Sequence, residues 1–236
     1  QTQKARRILQ EIDPALALGA DDTLFMADTK GRGAAVLELF RDGRAMRTLC
    51  LWVAFFCCLL MVYALSSWLP KMMASAGYSL GSSLSFLLVL NAGGMVGAVF
   101  GGWLGDRLSL SKVLVVFFII AAVTVTLLGF KSAPLLLYLL IFVAGGTTVG
   151  TQILLYAVTA QSYGQSIRST GLGWASGIGR NGAILGPLLG GALMGMNLPL
   201  QLNFMAFAVP GAVAALAMLL FTFSPQRRGV ETVAYP

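Results

Sequence analysis

Residues 101–114 read GGWLGDRLSLSKVL, a short polar turn set between two long apolar runs. The run before it, about residues 81–104, stops at Gly105-Asp106-Arg107, and the run after it extends from Lys112 to about Phe130. Each is close to the ~20 residues an α-helix needs to cross a bilayer. Working outward, four more runs of this kind appear, at about residues 48–68, 134–156, 174–196 and 202–223. The first is expected to end at Leu69-Pro70-Lys71; Pro134 suits the first turn of a helix. Lipid offers backbone groups no hydrogen-bond partners, so spanning segments are helices or closed barrels, and a barrel needs shorter alternating strands. The prediction is an all-α, polytopic membrane protein built as a six-helix bundle.

Composition agrees. Of 236 residues 57% are hydrophobic and only 11% charged, and the mean hydropathy is +0.82. The net charge of +7 does not mark a nucleic-acid binder, because the basic residues lie in the gaps between apolar runs. Arg41, Arg44, Arg47, Arg107, Lys112, Arg168, Arg227 and Arg228 fall on one side, and only Lys71 and Lys131 on the other. By the positive-inside rule both termini are expected in the cytoplasm. Residues 1–47 read as a cytoplasmic connector, 48–225 as the membrane domain and 226–236 as a cytoplasmic tail. The chain opens on Gln1 with no apolar leader segment, which reads as the start of a fragment.

Cys50, Cys57 and Cys58 have no metal-ligand or disulfide spacing, and there is no histidine. No metal and no cofactor are expected. A membrane-embedded enzyme would need a nucleophile with a base, or a metal cluster, and is a remote alternative. Small residues four apart recur as Gly97/Gly101, Gly146/Gly150, Gly186/Gly190 and Gly191/Gly195, a spacing that lets helix backbones approach. Pro187 in the fifth run predicts a kink.

In the 101–114 turn, Gly102, Leu104, Asp106, Arg107 and Leu114 resemble the loop motif of the major facilitator superfamily, although Ser109, Leu110 and Ser111 replace its usual Gly-Arg-Lys. The stretch YGQSIRSTGLGWASGIGRNGAILGP, residues 163–187, together with Tyr63, Trp68, Leu69 and Pro70, is similar to the aromatic acid:proton symporters of that superfamily; Gly164 stands where proline is expected. The likeness covers about residues 40–225. It implies the C-terminal half of a twelve-helix carrier in a bacterial inner membrane, made of two three-helix repeats. It further implies an N-terminal six-helix partner half, a small organic acid such as a benzoate or hydroxybenzoate as substrate, and a proton as co-substrate. Gly102, Asp106 and Arg107 would act as a gating motif, Asp106 pairing with an arginine or capping a helix. A drug-efflux or sugar carrier of the same superfamily is the alternative, and the loop motif argues against a channel subunit.

Arg180 is the sharpest candidate for the site. Counted from Trp174 at ~1.5 Å per residue it lies about 9 Å into the fifth span, where an arginine costs roughly 2.5–3.5 kcal/mol. Either it snorkels to the cytoplasmic surface, or it faces a central cavity and binds a carboxylate with its planar fork. Thr148, Gln152 and Tyr156 on the fourth span, Tyr63 on the first and Asn91 on the second are expected to line the same cavity. None of the six runs contains Asp or Glu, so an acid for proton coupling would come from the other half.

Overall fold

The computed structural model describes residues 36–41 and 43–224. The tail at 226–236, with Arg227 and Arg228, and most of the connector (residues 1–35 and 42) lie outside the described residues. A 3-10 turn, Leu37–Phe40, precedes six α-helices: α1 Ala45–Ser75, α2 Leu80–Arg107, α3 Leu110–Leu127, α4 Pro134–Ser162, α5 Arg168–Gly195 and α6 Leu200–Phe223. Every predicted run is a helix, and most extend several residues beyond the apolar core of the run.

Two features differ from expectation. α1 continues through Pro70 to Ser75 rather than stopping there. Proline forfeits one backbone hydrogen bond, but membrane helices tolerate this where neighbours support them, and α5 and α6 likewise run through Pro187 and Pro210. Five helices are long and apolar enough to cross a membrane. α5 is long enough at 28 residues, but its glycines, serines, Arg180 and Asn181 dilute its apolar character.

The helices pack across the two sequence repeats rather than within them. α2 packs most heavily on α4, α1 on α5, and α3 on α6, with α1·α6 and α3·α4 next. Exchanging α1–α3 for α4–α6 maps this pattern onto itself, as two related three-helix repeats require. Glycine permits the two closest seams. On α5, an added Cβ at Gly182 would meet the Phe56 backbone and come within 3.1 Å of Leu60 N, and one at Gly186 would lie 3.0 Å from Ala64 N. On α4, one at Gly150 would come within 2.8 Å of Ala98 N, and Gly97 and Gly146 lie back to back. In both seams residue numbers rise together, so the paired helices run parallel. The expected small-residue spacing therefore marks true helix contacts at Gly97, Gly146, Gly150, Gly186 and Gly190, whereas Gly195 faces open space.

The two ends of the bundle are distinct. At one, Arg47 on α1 donates from Nη1 to the Ser224 carbonyl after α6 (3.2 Å) and sits 4.0 Å over the Phe221 ring. Tyr163, after α4, donates to Thr48 Oγ1 (3.0 Å), and Thr48 donates to the Leu39 carbonyl (2.8 Å). Burial pushes the Tyr163 phenol up from its ordinary pKa, partly opposed by the Thr48 hydrogen bond and the charges of Arg44 and Arg47. At the other end α1 turns at Gly77 (φ 96°), and Gly129 after α3 meets Gln201 of α6.

Candidate functional site

Arg180 is the thirteenth residue of the 28 in α5, at mid-helix, and its side chain is exposed on the open side of the bundle. Its Nη1 donates to the Tyr63 hydroxyl on α1 at 3.4 Å, longer than the usual ~2.7–3.2 Å. The α1–α5 seam shows which way it points. Gly182 faces Phe56 and Leu60, and Gly186 faces Leu60 and Ala64, so Tyr63 stands level with the later residue. The guanidinium thus extends away from the arginine-rich end, opposite to the snorkelling that its charge would favour. Tyr63 uses one of five N–H donors. The described carboxylates are Glu38 and Asp106, and neither forms an ion pair with Arg180. A cation with open donors beside a phenol on an apolar wall is an arrangement suited to a carboxylate.

Tyr156 of α4 lies edge-on to Phe55 (5.0 Å, 81°), and Phe55 packs on Gly179, the residue before Arg180. The structure therefore brings Tyr156 to the same region as Arg180 and Tyr63, and half-buried Gln152 lies one turn away on α4. Among the described residues, the other two candidates are not joined to the pair by a hydrogen bond or ring contact. Thr148 is fully buried; its hydroxyl donates to the Ala144 carbonyl (2.6 Å) and its carbonyl accepts from Cys58 Sγ (3.7 Å), so its polar atoms serve helix packing. Asn91 is exposed on α2 and donates to the Leu87 carbonyl of its own helix (2.8 Å), with no hydrogen bond to the Arg180–Tyr63 pair. Thr170, Gly173, Trp174, Gly177, Ile178 and Asn181, on the first half of α5, line an open groove of about 440 Å³. Trp174 stacks on Trp52 (5.9 Å, 25°) at its edge.

The loop-motif residues gather at the arginine-rich end. Asp106, in the last turn of α2, is exposed and borders a cavity of about 370 Å³ with Arg47, Ser109, Gln161 and Ser162. Among the described residues it forms no ion pair. The Arg107 guanidinium lies over the Trp103 ring at 4.4 Å instead, and Ser109, the N-cap residue of α3, makes no side-chain capping hydrogen bond. Gly102 faces open space.

One contact escaped the sequence reading. Trp68 Nε1 on α1 donates to the Pro187 carbonyl on α5 at 2.9 Å, with the indole seated on Gly190 and Gly191. The glycine pair and the proline were visible in the sequence; that one tryptophan fills the notch between them required knowledge of the α1–α5 register.

A bundle of apolar helices with a buried glycine seam and a cation-bearing open face is the architecture of a membrane carrier domain. The family model of the Major Facilitator Superfamily matches residues 51–234, and the chain belongs to that superfamily. The chain is similar to the benzoate transport protein of Acinetobacter baylyi, with 41% identity over 84% of this chain and 43% of that protein. It is also similar to the gentisate transporter of Corynebacterium glutamicum (39% identity; 73% and 39% covered) and the 4-hydroxybenzoate transporter of Acinetobacter baylyi (32%; 93% and 49%). The chain spans about half the length or less of these curated relatives.

Proposed function

We propose that the chain forms one half of a proton-coupled carrier of aromatic carboxylic acids, working with a second six-helix half as a twelve-helix transporter and not as an enzyme. The similarity to transporters of benzoate, gentisate and 4-hydroxybenzoate supports the substrate class. The observation that carries the site is the mid-helix Arg180 held against Tyr63 without a carboxylate partner. In this reading Arg180 forks the substrate carboxylate, Tyr63 shares that hydrogen bond, and Tyr156 and Gln152 border the ring.

The proton-titrating acid is assigned to the other half, because the described carboxylates lie only at the arginine-rich end. That end faces the cytoplasm of a bacterial inner membrane in this reading, and both termini lie there. Gly102, Asp106 and Arg107 act at the same end as a gate, Asp106 finding its cationic or helix-end partner on the other half.

The test is binding of benzoate, 4-hydroxybenzoate, a neutral sugar and a cationic dye to the complete carrier, with Arg180→Ala and Arg180→Lys beside it. Saturable binding of the two acids that Arg180→Ala abolishes and Arg180→Lys weakens is the expected result. Sugar or dye binding in their place refutes the substrate class, and acid binding indifferent to Arg180 refutes the site.

A further inference from the structure

We propose that Lys71, with Ser67 and Trp68, forms an outer receiving site that collects the carboxylate of the same aromatic acid before it reaches Arg180; the inference rests on the reading above. Tyr63, Ser67 and Lys71 are spaced i, i+4, i+8 on α1 and so share one face. Lys71 lies about 12 Å along the helix from Tyr63, toward the end away from the arginines.

Lys71 is exposed, and its Nζ stands 5.0 Å from the Trp68 ring centroid. Trp68 is a fixed platform: the Pro187 carbonyl takes its N–H at 2.9 Å, and the ring is seated against Gly190 and Gly191. Ser67 is exposed, and its hydroxyl has no partner among the described residues. No described carboxylate competes for the ammonium, since Glu38 and Asp106 both belong to the opposite end. A point charge, a free hydroxyl and an indole within one turn provide the elements for an aromatic carboxylate: the ammonium and Ser67 O–H donate to its oxygens, and its ring lies against Trp68.

A lysine beside a tryptophan at a helix end is also how proteins anchor to headgroups. Here, however, the indole N–H goes to a protein carbonyl rather than outward, and α1 is the most enclosed of the five apolar helices. Lys71 moreover continues the face that carries Tyr63, not a face turned from it. An exposed ammonium binds a carboxylate weakly in water, which suits capture and release to a stronger site.

The experiment is uptake of labelled benzoate by the complete carrier in liposomes, measured from each side of the membrane. Lys71→Gln is expected to raise the KM for entry from the Lys71 side by about three- to fivefold. Because microscopic reversibility ties the two directions, Vmax/KM for entry from the opposite side falls by the same factor, through a lower Vmax and not a raised KM. Lys71→Arg should stay near the parent. Added salt should raise the parent's KM from the Lys71 side and have little effect on Lys71→Gln.

An unchanged KM in Lys71→Gln overturns the receiving site. So does a rise equal from both sides, which marks an indirect structural effect, or a loss confined to protein yield and thermal stability, which marks an anchor. If uptake is abolished by Arg180→Ala yet indifferent to Lys71→Gln, only the receiving site falls. If the parent carries no aromatic acid, both readings fall together.

Discussion

Replacing Gly182 by alanine tests the α1–α5 seam directly. The new methyl would be aimed at the Phe56 carbonyl and would lie 3.0 Å from Phe56 C and 3.1 Å from Leu60 N. These are main-chain atoms of a neighbouring helix, so no side chain can swing aside, and the helices themselves must part. Overpacking of this kind costs roughly 1–3 kcal/mol, and alanine recovers ~0.5–1 kcal/mol relative to glycine inside a helix. The net is a loss of about 1–2 kcal/mol. At ~2–4 °C per kcal/mol for a domain of this size, the melting temperature should fall by about 2–8 °C. Gly177→Ala is the matched control on the same helix, because its Cβ would meet nothing within 4 Å. It should keep the propensity gain and melt at or slightly above the parent. Thermal unfolding of the purified chain in mild detergent reads both. Equal melting of Gly182→Ala and Gly177→Ala, or a fall in Gly177→Ala alone, refutes the backbone contact at Gly182.

Trp68→Phe removes the N–H to the Pro187 carbonyl and should cost about 0.5–1.5 kcal/mol in the same melt, an unchanged Tm counting against the link. Tyr163→Phe should lose a similar amount through Thr48. The buried Tyr163 phenol has a raised pKa, so its contribution is complete below the ordinary tyrosine value and disappears as pH rises through the folded one. Its variant and the parent should therefore converge in stability only above about pH 10. Cys50, Cys57 and Cys58 are all buried, so a bulky maleimide should label none of them until the protein is unfolded, and rapid labelling of the native form would contradict their placement. Arg180→Lys in the complete carrier should depress aromatic acid uptake while leaving insertion intact, since an ammonium cannot reproduce the planar fork.

The six helices were legible because apolar length is a strong signal, and the glycine spacing announced the seams before any partner was known. What sequence could not give was rotation and register. Thr148 sits one turn from Gln152, a spacing that puts the two on one face, yet it is fully buried and its hydroxyl returns to its own helix. The direction of Arg180 was equally hidden: mid-helix depth permits both snorkelling and inward reach, and only the pairing of Gly182 and Gly186 with α1 separates them. Helix ends were misjudged where proline intervened, because Pro70 breaks a ladder in water more readily than between packed helices. The resemblance implies that Asp106 pairs with an arginine or caps a helix, and among the described residues it forms no ion pair, so neither sequence nor this half of the bundle identifies its partner.

The interleaving of the two repeats has a consequence for how the protein comes into being. Of these six helices α1 leaves the ribosome first but packs most heavily on α5, and the facing pair Phe56 and Gly182 are separated by about 125 residues of synthesis, some 6 to 25 s at ~5–20 residues per second. α2 waits in the same way for α4. During that interval the glycine-matching surfaces of α1 and α2 are without the helices they fit in the finished bundle, and face lipid or another protein surface. The bundle then closes late, when the second repeat slides in beside the first.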